Sequence, residues 1–191
     1  MGHAHQSGDP SRLEELCDLM AYPSKIILIG FMGSGKSTVA EQLAPRLGYT
    51  GREMDSIIVE RSGLSSIPEI FEKHGEPFFR TIESQVAQDL MNVTTAVVST
   101  GGGVVTNPSN IENLRANGGL VIFLRTTFET ICGRVTDISS RPLFRDGVQA
   151  RALFEQRASV YEGHADLIID TDRKTAEDIC SEILSHLELR S

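Results

Sequence analysis

The chain has 191 residues, a formal net charge of −8 from 18 Lys+Arg against 26 Asp+Glu, and three cysteines. That length suits one α/β domain with an ordinary core, and the acidic balance with no basic stripe argues against a nucleic-acid binder. Cys17, Cys132 and Cys180 are far apart and form no CxxC pair, so metal clusters and disulfide frameworks are not expected and a reducing cytosol is the simplest setting.

Residues 1–24 read as an N-terminal extension. "MGHAHQSGDP" is polar and turn-rich, and "SRLEELCDLMA" reads as a short helix with Ser11 as N-cap and Leu13, Leu16, Leu19 and Met20 on one face. The extension holds no apolar run resembling a signal peptide, and no segment of the chain is long enough to span a membrane. From Lys25 the pattern alternates strand and helix. Lys25–Ile29, Thr95–Thr100, Leu120–Leu124 and Asp166–Asp170 are short, nearly continuous apolar runs, as strands buried on both faces should be. A weaker strand is expected near Tyr49–Glu53. Helical patterns cover Lys36–Leu47, Ser66–Lys73, Pro77–Met91, Pro108–Ala116, Phe128–Val135, Val148–Glu162 and Thr175–Leu187. This alternation implies a parallel sheet with helices on both faces.

"GFMGSGKS", Gly30 to Ser37, matches G-x-x-x-x-G-K-[ST] between an apolar strand and a helix. Such a loop aims backbone N–H groups at a phosphate beside a helix N-terminus. Lys36 can reach the β- and γ-phosphates, and the Ser37 hydroxyl can ligate Mg²⁺. Pro45 sits late in the following helix, where it costs one backbone hydrogen bond, and Gly48 is placed to end it. A GTPase would carry N-K-x-D and D-x-x-G, and a motor ATPase an apolar strand ending in Asp-Glu; neither is found. A small kinase remains, and it needs an acid near the metal or acceptor, cations for the acceptor, and a cationic lid.

Glu53 and Asp55 lie two apart at the expected end of the second strand, where alternation points both toward the phosphate loop; Asp55 could equally cap a helix. Ser66 and Glu69 resemble a capping box. Arg80 and Glu83, three apart on a helix, form either a rigid fork for a carboxylate or an exposed ion pair of little worth. Gly101–Gly103 directly follow a buried strand, where glycines admit a ligand close to the backbone or make a plain turn. Arg134, Arg141 and Arg145 fall in a segment that reads as a lid over ATP phosphates or as a solvated basic loop. Arg157 and Tyr161, four apart, either cover the site or lie on the surface.

Five segments in order, "GFMGSGKST", "MDSIIVERSGLSSIPEIFEKHGEPFFRTIE", "STGGGVV", "SRPLF" and "EQRASVYEGHADLIIDT", make the chain from Lys25 to its C-terminus resemble the shikimate kinase family. The second and third are the specific ones. The resemblance implies a three-layer α/β/α P-loop kinase fold with a five-stranded parallel sheet. It implies a domain over 25–191, with a substrate-binding region at 53–91 and a mobile lid at 134–148. The implied reaction moves the γ-phosphoryl of ATP, with Mg²⁺, onto the 3-hydroxyl of shikimate in aromatic amino-acid biosynthesis. The expected enzyme is a cytoplasmic monomer acting on shikimate and ATP, with no nucleic-acid or membrane partner.

By position, Asp55 would bind the shikimate hydroxyls and act as base. Arg80 and Arg157 would hold its carboxylate, Glu83 would support Arg80, and Gly101, Gly102 and Gly103 would bring amides close. Gly33, Ser34, Gly35, Lys36, Ser37 and Thr38 would bind ATP phosphates, and Lys36 and Arg141 would stabilise the phosphoryl group in flight. Arg134 would lie at the adenine, beside a loop at Ile169–Thr175 that contains Arg173. Ser37 would ligate Mg²⁺ directly and Glu53 through water. The family pattern has Asp where this chain has Glu53, which keeps the charge and adds about 1.5 Å of reach; Arg52 and Pro45 also depart from it. The competing readings are another small kinase, for gluconate or a nucleoside monophosphate, and a nucleotide-binding module without catalysis.

Overall fold

In the computed structural model the described residues are 22–134 and 147–189. The expected helix over Ser11–Ala21 and most of the expected lid, Arg141 and Arg145 included, lie outside them. Five strands, β1 (Lys25–Ile29), β2 (Thr50–Glu53), β3 (Ala96–Ser99), β4 (Gly119–Arg125) and β5 (Leu167–Asp170), form one sheet in the order β2-β3-β1-β4-β5. All four pairings are parallel. The helices are α1 (Lys36–Leu47), α2 (Met54–Ser62), α3 (Ile67–Asp89), α4 (Pro108–Arg115), α5 (Phe128–Arg134), α6 (Gly147–His164) and α7 (Ala176–Glu188).

The strand period of two sorts the core into two layers. Ile26, Leu28, Val97, Ile122 and Leu124 face one side and pack with Val39 and Leu43 of α1 and Ile179 and Ile183 of α7. Ile27, Ile29, Val98, Val121 and Phe123 face the other and pack with Ile58, Ile82, Val86, Ile111, Ile131 and Tyr161 of α2 to α6. The expected three-layer α/β/α architecture is therefore the observed one. β1, central and wholly buried, is where apolar runs on both faces were required. β2 is an edge strand whose Thr50, Gly51 and Arg52 are exposed, so Arg52 reaches water and carries no burial cost.

Two local features differ from expectation, the β2–α2 junction and the Ser66 cap. The strand leading to Asp55 ends at Glu53, and Met54 opens α2. The alternation argument for Glu53 and Asp55 therefore fails: Asp55 stands in the first turn of a helix, where an acid suits the positive end of the dipole. The two helices expected on either side of Gly75 are present, running together in α3 without a loop and separated by a kink at that residue (φ 78°, ψ 174°), a conformation that only glycine adopts at no steric cost. Pro45 lies inside α1 without ending it. Gly48 caps that helix in the left-handed conformation, and Tyr49 N–H bonds back to the Ala44 carbonyl. The Ser66 cap is half of the expected box: its hydroxyl accepts from Glu69 N–H, while the Glu69 carboxylate accepts from Ser65.

Lys25 is buried at the first residue of β1, and its ammonium donates to the Leu90 and Met91 carbonyls just beyond the end of α3. Burial lowers its pKa, and these two bonds satisfy carbonyls that a helix end leaves open. The long helix carrying Arg80 and Glu83 is thereby tied to the central strand.

Candidate active site

The carboxyl ends of all five strands converge on one edge of the sheet, the usual ligand side of an open parallel sheet. From β1 the chain enters the loop 30–35, and Gly35, left-handed at φ 94°, forms the N-cap of α1. Lys36 is buried and folds over this loop, its ammonium donating to the Gly30 and Phe31 carbonyls at 2.8 and 3.0 Å. Ser37 and Thr38 are exposed at the start of α1, whereas the Ser34 side chain is fully buried. The Ser37 hydroxyl lies 3.4 Å from that of Ser99, and Ser99 stands opposite Glu53 in the β2–β3 register. Sequence reasoning passed over Ser99 because it sought an acid at that strand tip.

A second cluster of candidate site residues is built from α2, α3, α6 and the glycine triplet after β3. Arg80 donates to Glu83 at 2.8 Å and, on its other edge, to Glu76 at 3.0 and 3.1 Å. Glu76 is four residues before Arg80, a spacing visible in the sequence but not used. Glu83 is only 1% exposed, so the pair is not a surface pair. Burial pushes the Glu83 carboxyl up; Arg80 opposes this, and the neighbouring Asp55 charge adds to it. Burial works against the Arg80 charge too, and Glu83 and Glu76 more than offset it, so its pKa is raised.

The glycines are there for space. A Cβ built on Gly101 would sit 2.9 Å from Asp55 Oδ1, and one on Gly103 would sit 2.5 Å from both Arg80 Nη atoms. Gly103 has φ −100° and ψ −3°, open to any residue, so its lack of a side chain serves close approach and not backbone freedom. Asp55, Glu83 and Arg80 are thus gathered against the triplet. From α6, Arg157 Nη1 donates to the Gly102 carbonyl at 3.2 Å and the Tyr161 hydroxyl donates to the same oxygen at 2.5 Å. Arg157 and Tyr161 therefore pack on the glycine triplet rather than lying on the surface.

Arg134, the last described residue of α5, donates to the Thr171 carbonyl at 2.8 Å and to its hydroxyl at 3.4 Å. The expected neighbourhood of Arg134 and residues 169–175 is present. Arg173 lies there with φ 59° and is exposed. Arg141 lies outside the described residues. Among the described residues no three His, Cys, Asp or Glu side chains cluster as a metal cage. The residues present still fit Mg²⁺, a hard cation that keeps its waters and is held by phosphates with one or two protein oxygens: hydroxyls of Ser37 and Ser99 face each other beside Glu53. No helix among the described residues is long and apolar enough to cross a membrane.

A sequence model of the shikimate kinase family matches residues 32–188. Shikimate kinase of Geobacter metallireducens is 43% identical over 168 residues, covering 86% of this chain and 92% of the relative. The solved shikimate kinase of Acinetobacter baumannii in complex with shikimate superposes with a TM-score of 0.83 at 34% identity, covering 90% of this chain and 97% of that one. That of Aquifex aeolicus superposes with a TM-score of 0.76 at 39% identity, over 86% and 96%. With this phosphate loop, glycine triplet and buried arginine–glutamate pair on this sheet, the chain belongs to the shikimate kinase family.

Proposed function

We propose that the chain transfers the γ-phosphoryl group of ATP to the 3-hydroxyl of shikimate, the reaction that feeds chorismate and aromatic amino-acid synthesis. One observation carries the assignment of roles: Arg80, Arg157 and Asp55 meet the glycine triplet at the same sheet edge as Lys36. The proposed carboxylate clamp thus lies beside the phosphate loop, where Gly102 packs onto the backbone of Gly30, Phe31 and Met32.

Arg80, held from both sides by Glu83 and Glu76, presents a preformed fork to the shikimate carboxylate, and Arg157 completes the clamp. Gly101, Gly102 and Gly103 let the ring lie against backbone. Asp55 accepts a hydrogen bond from the reacting hydroxyl and orients it. As that oxygen bonds to phosphorus and the bond to the ADP oxygen breaks, the hydroxyl proton passes to the Asp55 carboxylate. Lys36 leaves the Gly30 and Phe31 carbonyls for the β- and γ-phosphates and stabilises charge in the transition state; Arg141 joins it by resemblance to the family. The backbone of Gly33, Ser34 and Gly35, with Thr38, cradles the phosphates, and Arg134 and Arg173 flank the adenine.

Ser37, and Glu53 through water, are the residues that would hold Mg²⁺, which when bound neutralises phosphate charge. Catalysis is positioning and electrostatics more than covalent chemistry. In the same reading the enzyme acts as a monomer, and the free thiols of Cys132 and Cys180 suit the cytoplasm. Residues 53–91 and 134–148 serve as the substrate-binding region and the lid in this reading.

Coupled ADP release with shikimate, gluconate and nucleoside monophosphates as acceptors tests the assignment. Turnover with shikimate alone is expected. Absence of shikimate-dependent ADP overturns it, and nucleotide binding without turnover on any acceptor points to a binding module instead.

A further inference from the structure

We propose that Tyr161 is a positioning residue of the acceptor site: its hydroxyl fixes the orientation of the Gly102–Gly103 peptide, and through it the amides offered to the acceptor. This rests on the shikimate reading above.

The ring is set by the core. Tyr161 is 1% exposed and stacks on Phe123 of β4, with centroids 5.1 Å apart and planes at 23°. Its hydroxyl is thereby delivered to one place, the Gly102 carbonyl. The oxygen it holds belongs to the most pliable stretch of the site, three consecutive glycines with wide backbone freedom. No peptide bond among the described residues is cis, so the Gly102 carbonyl and the Gly103 N–H point in opposite directions across one plane. Holding that oxygen toward α6 turns the Gly103 N–H away from α6. Among the described residues no backbone carbonyl takes the amides of Gly102 or Gly103, which leaves them for a ligand.

Arg157 reaches the same oxygen but has a second demand on it. Its Nε is buried and has no hydrogen-bond partner among the described residues, and in the clamp its guanidinium turns to the acceptor carboxylate. The hydroxyl then remains on the carbonyl. Burial pushes the Tyr161 pKa up to about 12, so it stays a donor throughout the working range of pH. In this role Tyr161 acts through the glycines and not on the phosphoryl group.

Tyr161→Phe keeps the ring and the stack and removes the hydroxyl. Loss of one neutral hydrogen bond corresponds to a change of about three- to tenfold, expected in the KM for shikimate, with kcat and the KM for ATP within about twofold. In the ligand-free protein the ¹H–¹⁵N resonance of Gly103 is expected to shift and broaden, with the melting temperature nearly unchanged. An unmoved Gly103 resonance with an unchanged shikimate KM overturns the proposal, as does an equal rise in both KM values, the mark of a merely structural role. Should the phenylalanine variant not fold, a ring-fluorinated tyrosine placed at 161 keeps the shape and lowers the hydroxyl pKa. The shikimate KM should then rise at pH values where that hydroxyl has ionised, and a flat profile refutes the role. The resonance measurement needs no turnover, so failure of the shikimate assay in the unaltered enzyme sinks the functional reading without deciding this one.

Discussion

Replacing Arg80 by alanine separates two jobs of one guanidinium. Its bonds to Glu76 are to a carboxylate 59% exposed and contribute at most about 1 kcal/mol. Glu83 is different: it is buried beside Asp55, and burial raises its pKa even with Arg80 in place. Removing one partner of a buried pair costs about 3–5 kcal/mol. Protonation sets a lower ceiling here. Neutralising a carboxyl of ordinary pKa 4.5 at pH 7 costs about 3.4 kcal/mol, at about 1.36 kcal/mol per unit, and less once burial has raised that pKa.

Arg80→Ala should therefore lose about 2–3 kcal/mol at pH 7 and under about 1 kcal/mol at pH 5. The sign follows from the raised pKa. Between the unfolded value and the higher folded value the native state binds more protons, so stability is full below the unfolded pKa and falls as pH rises through the folded one. Urea melts at pH 5, 6, 7 and 8 read this directly. The double variant Arg80→Ala/Glu83→Gln should recover most of the stability at pH 7. Titration calorimetry should find shikimate affinity still down by more than tenfold, about 1.4 kcal/mol or more, and ATP affinity unchanged. A pH-independent loss of stability refutes the burial argument. Restored shikimate binding in the double variant refutes the clamp.

Three further outcomes follow from the same geometry. Gly101→Ala and Gly103→Ala place a Cβ 2.9 Å from Asp55 Oδ1 and 2.5 Å from the Arg80 Nη atoms. Each should raise the shikimate KM by about tenfold or more and spare the KM for ATP, in steady-state kinetics. Lys36→Ala should lower kcat by about a hundredfold or more, measured by ADP release, with the circular dichroism spectrum unchanged. Thr175→Ala removes one arm of the capping box of α7, in which Asp178 N–H donates to the threonine hydroxyl at 3.1 Å. It should cost about 1 kcal/mol in thermal melts and leave activity intact.

The sequence alone determined the order and kind of most elements, because its signals are local. Apolar runs such as "KIILI" mark buried strands, Thr175 and Gly48 mark helix ends, and the phosphate loop is contiguous. It also named the residues of the proposed acceptor site, through the resemblance carried by "STGGGVV" and the segment around Arg80 and Glu83. Tertiary structure decided what each was for. Whether Arg80 and Glu83 form an idle surface pair depends on burial, and Glu83 is buried because α3 lies against the sheet and the glycine triplet. Gly101 makes room for Asp55 and Glu83, Gly103 for Arg80, and Gly102 for the backbone of Gly30, Phe31 and Met32 in the phosphate loop, all distant along the chain. Sequence paired Tyr161 with Arg157 but left both open between the site and the surface; the stack on Phe123 and the reach to Gly102 come only from the fold. α2 was hidden because β2 runs into it without a loop, so a two-residue alternation was read across a junction where the backbone had already turned helical. Local chemistry is written along the chain, whereas burial and approach between distant segments come into being only when the sheet order β2-β3-β1-β4-β5 brings those segments to one edge.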